Sequence, residues 1–102
     1  DEAYAGRYIR SCAARKSRRQ IRADLERKGV SREVIDLQLQ EEAVDEDSQI
    51  RKLLQKKGYE PGKRLEATEY RRIMGTLGRR GFSGEAIRRV MESMREEQEE
   101  FF

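Results

Sequence analysis

The sequence predicts an all-α protein made of tandem three-helix repeats, which we expect to stack into an elongated, curved helical array. Its first support is an internal repeat: the pattern of apolar, basic, Gly and Ser residues at 21–39 returns 52 positions later at 73–91. Internal repeats are typical of stacked units that bind partners along a surface. Composition agrees, since 42% of the 102 residues are charged and 35% are hydrophobic, as in amphipathic helices with broad solvated faces. No run alternates between polar residues and Val, Ile or Thr, which argues against a sheet.

Each copy of the repeat contains one short junction, Gly29-Val30-Ser31 in the first and Gly81-Phe82-Ser83 in the second. We expect the glycine to end one helix in the left-handed conformation and the serine to cap the next helix. The residue between them is apolar and suits a packing contact at the helix start. The sequence therefore assigns both glycines a structural role.

The first repeat is predicted to span residues 1–43 and to contain three helices. The first helix runs from about residue 1 to residue 15 and buries side chains at helical spacing: Ala5, Tyr8, Ile9, Cys12 and Ala13. The second follows Ser17, which with Gln20 is predicted to form a capping box, and it buries Ile21 and Leu25. The third follows Ser31, fades near residue 43 and is expected to bury Val34, Ile35, Leu37 and Leu39.

The second repeat is predicted to span residues 44–102. Its first helix begins at Asp45 or Asp47, ends at Gly58 and buries Ile50, Leu53 and Leu54. A loop at 59–63 leads to a helix over about 66–80, which is expected to bury Tyr70, Ile73, Met74 and Leu77. The last helix follows Ser83 and is expected to bury Ala86, Ile87, Val90, Met91 and Met94, and the acidic end at 96–102 either extends it or frays.

Two glycines, Gly75 and Gly78, fall inside a predicted helix, where each costs about 1 kcal/mol relative to Ala. They do not form a phosphate-binding loop, because no Gly-x4-Gly-Lys-Ser/Thr string is present. We expect them to mark close packing between helices.

The residue inventory argues against an enzyme and predicts no cofactor, no metal and no small-molecule substrate. Histidine is absent, which removes the commonest general base and excludes a Cys/His zinc site. The single cysteine, Cys12, cannot form an internal disulfide and fits a small packed side chain in a reducing cytoplasm. No apolar run is long enough to span a membrane, and no signal peptide opens the chain. The lack of a starting Met suggests a fragment whose N-terminal part was removed.

The net charge of +3 conceals strong patterning along the chain. Residues 7–32 carry ten Lys or Arg against two acids, whereas 33–49 carry seven acids and no base. Residues 51–64 are basic again, six against one, and 92–100 are acidic, five against one. Such alternation is expected where some helices face a polyanion or an acidic partner and others do not.

Two groups of residues are therefore candidate partner-binding sites. The first surrounds the predicted second helix and could present cations to phosphates or carboxylates: Arg15, Lys16, Arg19 and Arg22. The alternative is a solvated face that only keeps this helix soluble. The second group lies at the 59–63 loop, where an aromatic residue with no obvious core role is surrounded by lysines: Lys56, Lys57, Tyr59 and Lys63.

Three strings in this order resemble the RecX family of recombination regulators. They are Ile-x3-Leu-x2-Lys-Gly-Val-Ser-x-Glu-x-Ile at 21–35, Leu-x-Arg-Arg-Gly-Phe-Ser-x-Glu-x-Ile at 77–87, and the opening Asp1-Glu2-Ala3-Tyr4-Ala5. The family has three tandem three-helix repeats, and this chain resembles the second and third. The resemblance covers nearly the whole chain except the acidic end.

The resemblance implies a bacterial cytoplasmic protein that binds the RecA recombinase. Family members lie in the groove of the RecA–DNA filament and suppress its ATP hydrolysis, strand exchange and co-protease activity. That would make this chain a negative modulator of DNA repair, recombination and the SOS response. The alternative is an autonomous helical module that binds the backbone of single- or double-stranded DNA with its basic second helix. Binding to bare DNA, as opposed to RecA-coated DNA, would separate the two hypotheses.

Overall fold

A computed structural model of the chain describes residues 2–100, the last of them by its backbone alone. Within that range the chain contains six α-helices and no strand, which confirms the all-α prediction. The helices are α1 (Glu2–Cys12), α2 (Arg18–Arg27), α3 (Arg32–Glu41), α4 (Glu46–Lys56), α5 (Ala67–Arg79) and α6 (Gly84–Glu100). The chain divides between Gln49 and Ile50 into two compact units, each with its own core.

In the first unit, α1 packs against α2 and α3. The buried apolar side chains come from all three helices and the segments that follow them: Ala5, Ile9, Cys12, Ile21, Leu25, Val30, Ile35, Leu39 and Val44. The start of α2 is held by the predicted capping box, in which the Ser17 hydroxyl accepts from the Gln20 backbone N–H at 3.1 Å and the Gln20 side chain accepts from the Ser17 N–H at 3.2 Å. The predicted core of this repeat is therefore largely confirmed.

Two expectations for the first unit are wrong in detail. The first helix ends at Cys12, and a turn follows in which the backbone N–H groups of Arg15 and Lys16 both donate to the Cys12 carbonyl, at 3.0 and 2.9 Å. Leu37 is exposed by 42%, and Gln38 is buried instead. At about 100° per residue, Leu37 points away from the line that Ile35 and Leu39 bury.

The second unit encloses its own core between α4, α5 and α6. Its buried side chains are Ile50, Leu54, Ile73, Leu77, Phe82, Ile87, Val90, Met91 and Met94. Tyr59 packs half-buried against this core, so the expectation that it lacks a core role is wrong. The acidic end continues α6 through Glu100, with Glu97 paired to Arg51 of α4 at 2.8 Å. Phe101 and Phe102 lie outside the described residues.

The repeated junctions have the predicted geometry in both units. The backbone φ angle is +85° at Gly29 and +98° at Gly81, values that favour glycine because a side chain would clash. The hydroxyl of Ser31 accepts from the Val34 N–H at 3.3 Å, and that of Ser83 accepts from the Ala86 N–H at 3.0 Å. The same short string therefore ends one helix and caps the next in each copy.

The glycines inside α5 do not mark close packing, contrary to the prediction. A Cβ atom added at Gly78 would have no neighbour within 4 Å, and one added at Gly75 would meet only the Arg79 side chain, at 3.4 Å. At these two positions no atom of another helix lies within 4 Å of the added Cβ. They cost helix stability without a packing contact in return.

Gly78→Ala and Gly81→Ala are expected to change stability in opposite directions. Gly78→Ala should raise the free energy of unfolding by about 0.5–1 kcal/mol, because it restores helix propensity in open space. Gly81→Ala should lower it by about 1–2 kcal/mol, because alanine is strained at a φ of +98°. Urea unfolding followed by circular dichroism measures both. Changes of the same sign would contradict the assignment of the helix end.

Candidate partner-binding surfaces

The basic segment 7–32 is partly neutralised within the first unit. Within the described part of the chain, five of its ten Lys or Arg side chains form ion pairs with carboxylates: Arg10, Lys16, Arg18, Arg22 and Arg27. Three of the carboxylates belong to the acidic segment 33–49, namely Asp36, Glu42 and Glu46. The two charge runs therefore face each other as well as solvent. Long-range pairing of this kind leaves no signal in a local count of charges.

The most buried of these ion pairs lies at Asp24. Its Oδ2 accepts from the Lys16 ammonium at 2.7 Å and also from the Tyr8 hydroxyl, while its Oδ1 pairs with Arg27. The Asp24 side chain is only 12% exposed. We call Tyr8, Lys16 and Asp24 the Asp24 cluster; it joins α1 to α2.

The hydrogen bonds of the Asp24 cluster displace the pKa of each member. Those from Lys16 and then Tyr8 hold the pKa of Asp24 below its ordinary value. Asp24 in turn raises the pKa of Lys16 and that of Tyr8 above their ordinary values. All three shifts favour the ionised carboxylate, the ammonium and the neutral phenol. This geometry is that of a structural contact between α1 and α2, and the Lys16 ammonium is engaged in that contact.

The four cations predicted to form one basic face therefore differ in their surroundings. Lys16 is held in the Asp24 cluster, and Arg22 pairs with Asp36. Arg15, which follows α1, and Arg19, in the first turn of α2, are exposed and form no side-chain ion pair among the described residues. Of the predicted set, Arg15 and Arg19 are the two with free charges to offer a partner.

In the second unit, Lys56 and Lys57 lie on a shallow groove of about 510 Å³ between α4 and α5. We call it the α4–α5 groove. Arg72 and Thr76 line it from α5, Arg80 lines it from the position directly after α5, and its other lining residues are Leu53, Ile73 and Glu69. Four cations against one carboxylate make this groove positive. The sequence contained a signal for this side of the groove, because residues spaced four positions apart, as 72, 76 and 80 are, lie along one side of a helix.

Tyr59 and Lys63 lie on a second groove of the same unit, about 440 Å³ in volume, at the loop between α4 and α5. We call it the loop groove, and it is lined by Tyr59, Pro61, Lys63, Arg64, Leu65, Tyr70, Arg88, Met91, Glu92 and Arg95. Burial raises the pKa of Tyr59 above its ordinary value, an effect that nearby Arg95 opposes. Sequence reasoning missed Arg64, which directly follows Lys63 in the chain, and it missed Arg88 and Arg95, because the fold of the unit brings α6 to the loop.

The described residues contain no constellation for metal chemistry. Over residues 2–100 no group of three or more Cys, Asp or Glu side chains is placed to hold a metal ion. In that same part of the chain no helix has the length and apolar character needed to cross a membrane. The exposed basic residues and the two grooves are candidate sites for binding a partner.

Comparison with known protein families identifies both units. Residues 1–37 match the second three-helix domain of RecX, and residues 45–91 match its third three-helix domain. No curated protein and no solved structure gives a significant match. The two matches occur in the family's order and together include all six helices in whole or in part. The chain therefore belongs to the RecX family and carries that family's second and third three-helix domains.

Proposed function

We propose that this protein is a cytoplasmic regulator that binds the RecA recombinase filament and inhibits its ATP hydrolysis, strand exchange and co-protease activity. The observation that carries the proposal is the presence of two consecutive RecX domains in one chain. The protein acts by binding, without chemistry of its own. In that role it limits recombination, DNA repair and the SOS response.

Two groups of exposed cations support this proposal as the surfaces that would reach the filament. Arg15 and Arg19 are exposed and have no ion-pair partner among the described residues, and Lys56, Lys57 and Arg72 line the α4–α5 groove in the second unit. Cations of this kind suit the phosphates of filament DNA or carboxylates on the RecA surface. Binding at these surfaces would block the subunit motions that accompany ATP hydrolysis.

The structure gives less support to an autonomous DNA-binding module built on α2. Arg22 pairs with Asp36, and Arg18 pairs with Glu46 and donates to the Leu39 carbonyl at 2.9 Å. These contacts hold two of the cations of α2 against α3 and the segment after it. A helix that reads or clamps duplex DNA needs its basic side chains free.

Arg15→Ala combined with Arg19→Ala is expected to raise the protein concentration needed for half-inhibition of RecA ATPase about tenfold, the equivalent of ~1.4 kcal/mol of binding energy. The reason is the loss of two exposed charges that no carboxylate of the described residues engages. The assay measures ATP hydrolysis by RecA on single-stranded DNA over a range of inhibitor concentrations. Circular dichroism should show unchanged helicity.

The matched control is Arg7→Ala combined with Arg32→Ala. These arginines are also exposed, make no side-chain ion pair among residues 2–99 and lie in the same unit, so the net charge changes equally. An equal loss of inhibition in both double variants would mean that the effect comes from the net charge of the protein and not from Arg15 and Arg19. Absence of inhibition by the unaltered protein at several-fold excess over RecA would refute the proposed function itself.

A further inference from the structure

We propose that the loop groove of the second unit is a binding site for single-stranded nucleic acid, with one base stacked on its tyrosines and the flanking phosphates on its cations. The inference goes beyond filament binding, because it predicts affinity for a bare strand without RecA. It rests on three properties of the groove: its aromatic residues, its unpaired cations and its size.

The aromatic residues of the groove are Tyr59 and Tyr70. Both are half-buried against the second core, so part of each side chain stays accessible while the rest is held by packing. Leu65 and Met91 add apolar surface beside them. An ordered aromatic side chain loses little conformational freedom when a base stacks on it, and such stacking accepts any base. This part of the groove suits a planar apolar ring.

The cations of the groove are largely uncompensated. Lys63, Arg64 and Arg88 are exposed, and none of the three forms a side-chain hydrogen bond or ion pair within the described part of the chain. The one acid of the groove, Glu92, pairs with Arg95 in the same lining. The groove therefore keeps a net positive charge next to its tyrosines, which fits a ligand that joins a flat ring to a phosphate.

A single strand fits these properties better than the other polyanions. In a duplex the base faces are covered by their neighbours, so only phosphates and base edges would reach the groove. An acidic peptide would pair with the cations and leave the tyrosines unused. At about 440 Å³ the groove falls within the size range of small-ligand sites. An exposed nucleotide of a single strand uses both the aromatic and the cationic residues.

The test is fluorescence anisotropy of a labelled thymidine oligonucleotide titrated with the 102-residue chain in the absence of RecA. An abasic phosphodiester of the same length, a duplex and poly-glutamate serve as competitors. We expect the oligonucleotide to bind about tenfold more tightly than the abasic strand, since stacking of one base accounts for a difference of that order. Binding should also quench the fluorescence of the protein's tyrosines, which no tryptophan obscures.

Two kinds of variant separate the aromatic from the cationic contribution. Lys63→Gln with Arg88→Gln should weaken binding of both strands about tenfold and make its salt dependence less steep, because two phosphate contacts are lost. Tyr70→Leu, or Tyr59→Leu if the first variant loses helicity, should remove the preference for bases and leave the salt dependence unchanged. The control for charge is Arg32→Gln with Lys52→Gln, two exposed residues outside the groove, which should alter affinity less than twofold.

Each result decides the proposal. Equal affinity for the thymidine and abasic strands, tighter binding of the duplex or of poly-glutamate, or an equal loss in the control variant would overturn it. Inhibition of RecA ATPase is measured separately, so a chain that inhibits RecA but ignores the bare strand would contradict this inference alone. A chain that binds the bare strand through the groove but leaves RecA unaffected would contradict only the proposed function.

Discussion

Replacing Leu25 or Leu77 with Ala is expected to lower the free energy of unfolding by about 2–5 kcal/mol. The two leucines occupy equivalent positions of the repeat, 52 residues apart, and both are fully buried. Each core has only nine buried apolar side chains among the described residues, so a cavity at its centre removes a large share of the packing. Because whole domains are stable by only about 5–15 kcal/mol, loss of helicity should begin at clearly lower urea concentrations.

Leu37→Ala is the matched control, since it removes the same atoms from a side chain that is 42% exposed. It should change the free energy of unfolding by no more than about 0.5 kcal/mol. Circular dichroism in urea compares the three variants directly. A loss at Leu37 as large as that at Leu25 would mean that α3 buries a different face.

The exposure of Leu37 shows that the apolar character of a residue is a poorer guide to burial than its position around the helix. In α3 the residues Ile35 and Leu39 define the buried line, and at about 100° per residue Leu37 lies on the opposite side, whereas Gln38 lies beside that line. The structure buries Gln38 because it lies three positions after Ile35 on the side of α3 that faces α1. That choice depends on the neighbouring helix, where the Gly6 backbone allows Gln38 to approach closely. Hydrophobicity along one segment does not contain this information.

The helix junctions were predictable because their chemistry is local. A glycine followed two residues later by serine specifies a left-handed turn and a cap within a few bonds, and both copies have that geometry. The glycines of α5 were not predictable in the same way, because open space around Gly78 depends on where the other helices lie. Local signals therefore placed the helix ends, while tertiary packing decided the role of glycines inside a helix.

The sequence identified the candidate binding residues by their charge, but it did not show which of them are already held in ion pairs. Charge counting selected Arg15, Lys16, Arg19 and Arg22 together, and the structure separates them because Asp24 and Asp36 engage Lys16 and Arg22. Asp36 is 14 positions from Arg22, so only the packing of α2 on α3 brings them together. The repeat preserves local geometry in its two copies, whereas the pairing of charges is specific to each.

Asp24→Asn is expected to lower the free energy of unfolding at about pH 7 by about 1–3 kcal/mol, because hydrogen bonds to a charged group are lost. The Asp24 carboxylate is 12% exposed and accepts from Lys16 and Tyr8; the asparagine amide carries no charge and has only one acceptor oxygen. Asp36→Asn serves as the control. Its carboxylate also pairs with an arginine but is 47% exposed, and such pairs contribute about 0–1 kcal/mol.

The same cluster should make stability depend on pH at both ends of the range. The pKa of Asp24 lies below its ordinary value, so its contribution is complete above about pH 4 and is lost as the pH falls through the lower, folded value. The pKa values of Lys16 and Tyr8 are raised, so their contribution is complete below about pH 10 and is lost as the pH rises through the folded values. Urea midpoints measured from about pH 2 to pH 11 should therefore fall at both ends, and less steeply in Asp24→Asn because the shared carboxylate is gone. An unchanged acid slope in Asp24→Asn would show that other carboxylates govern acid stability.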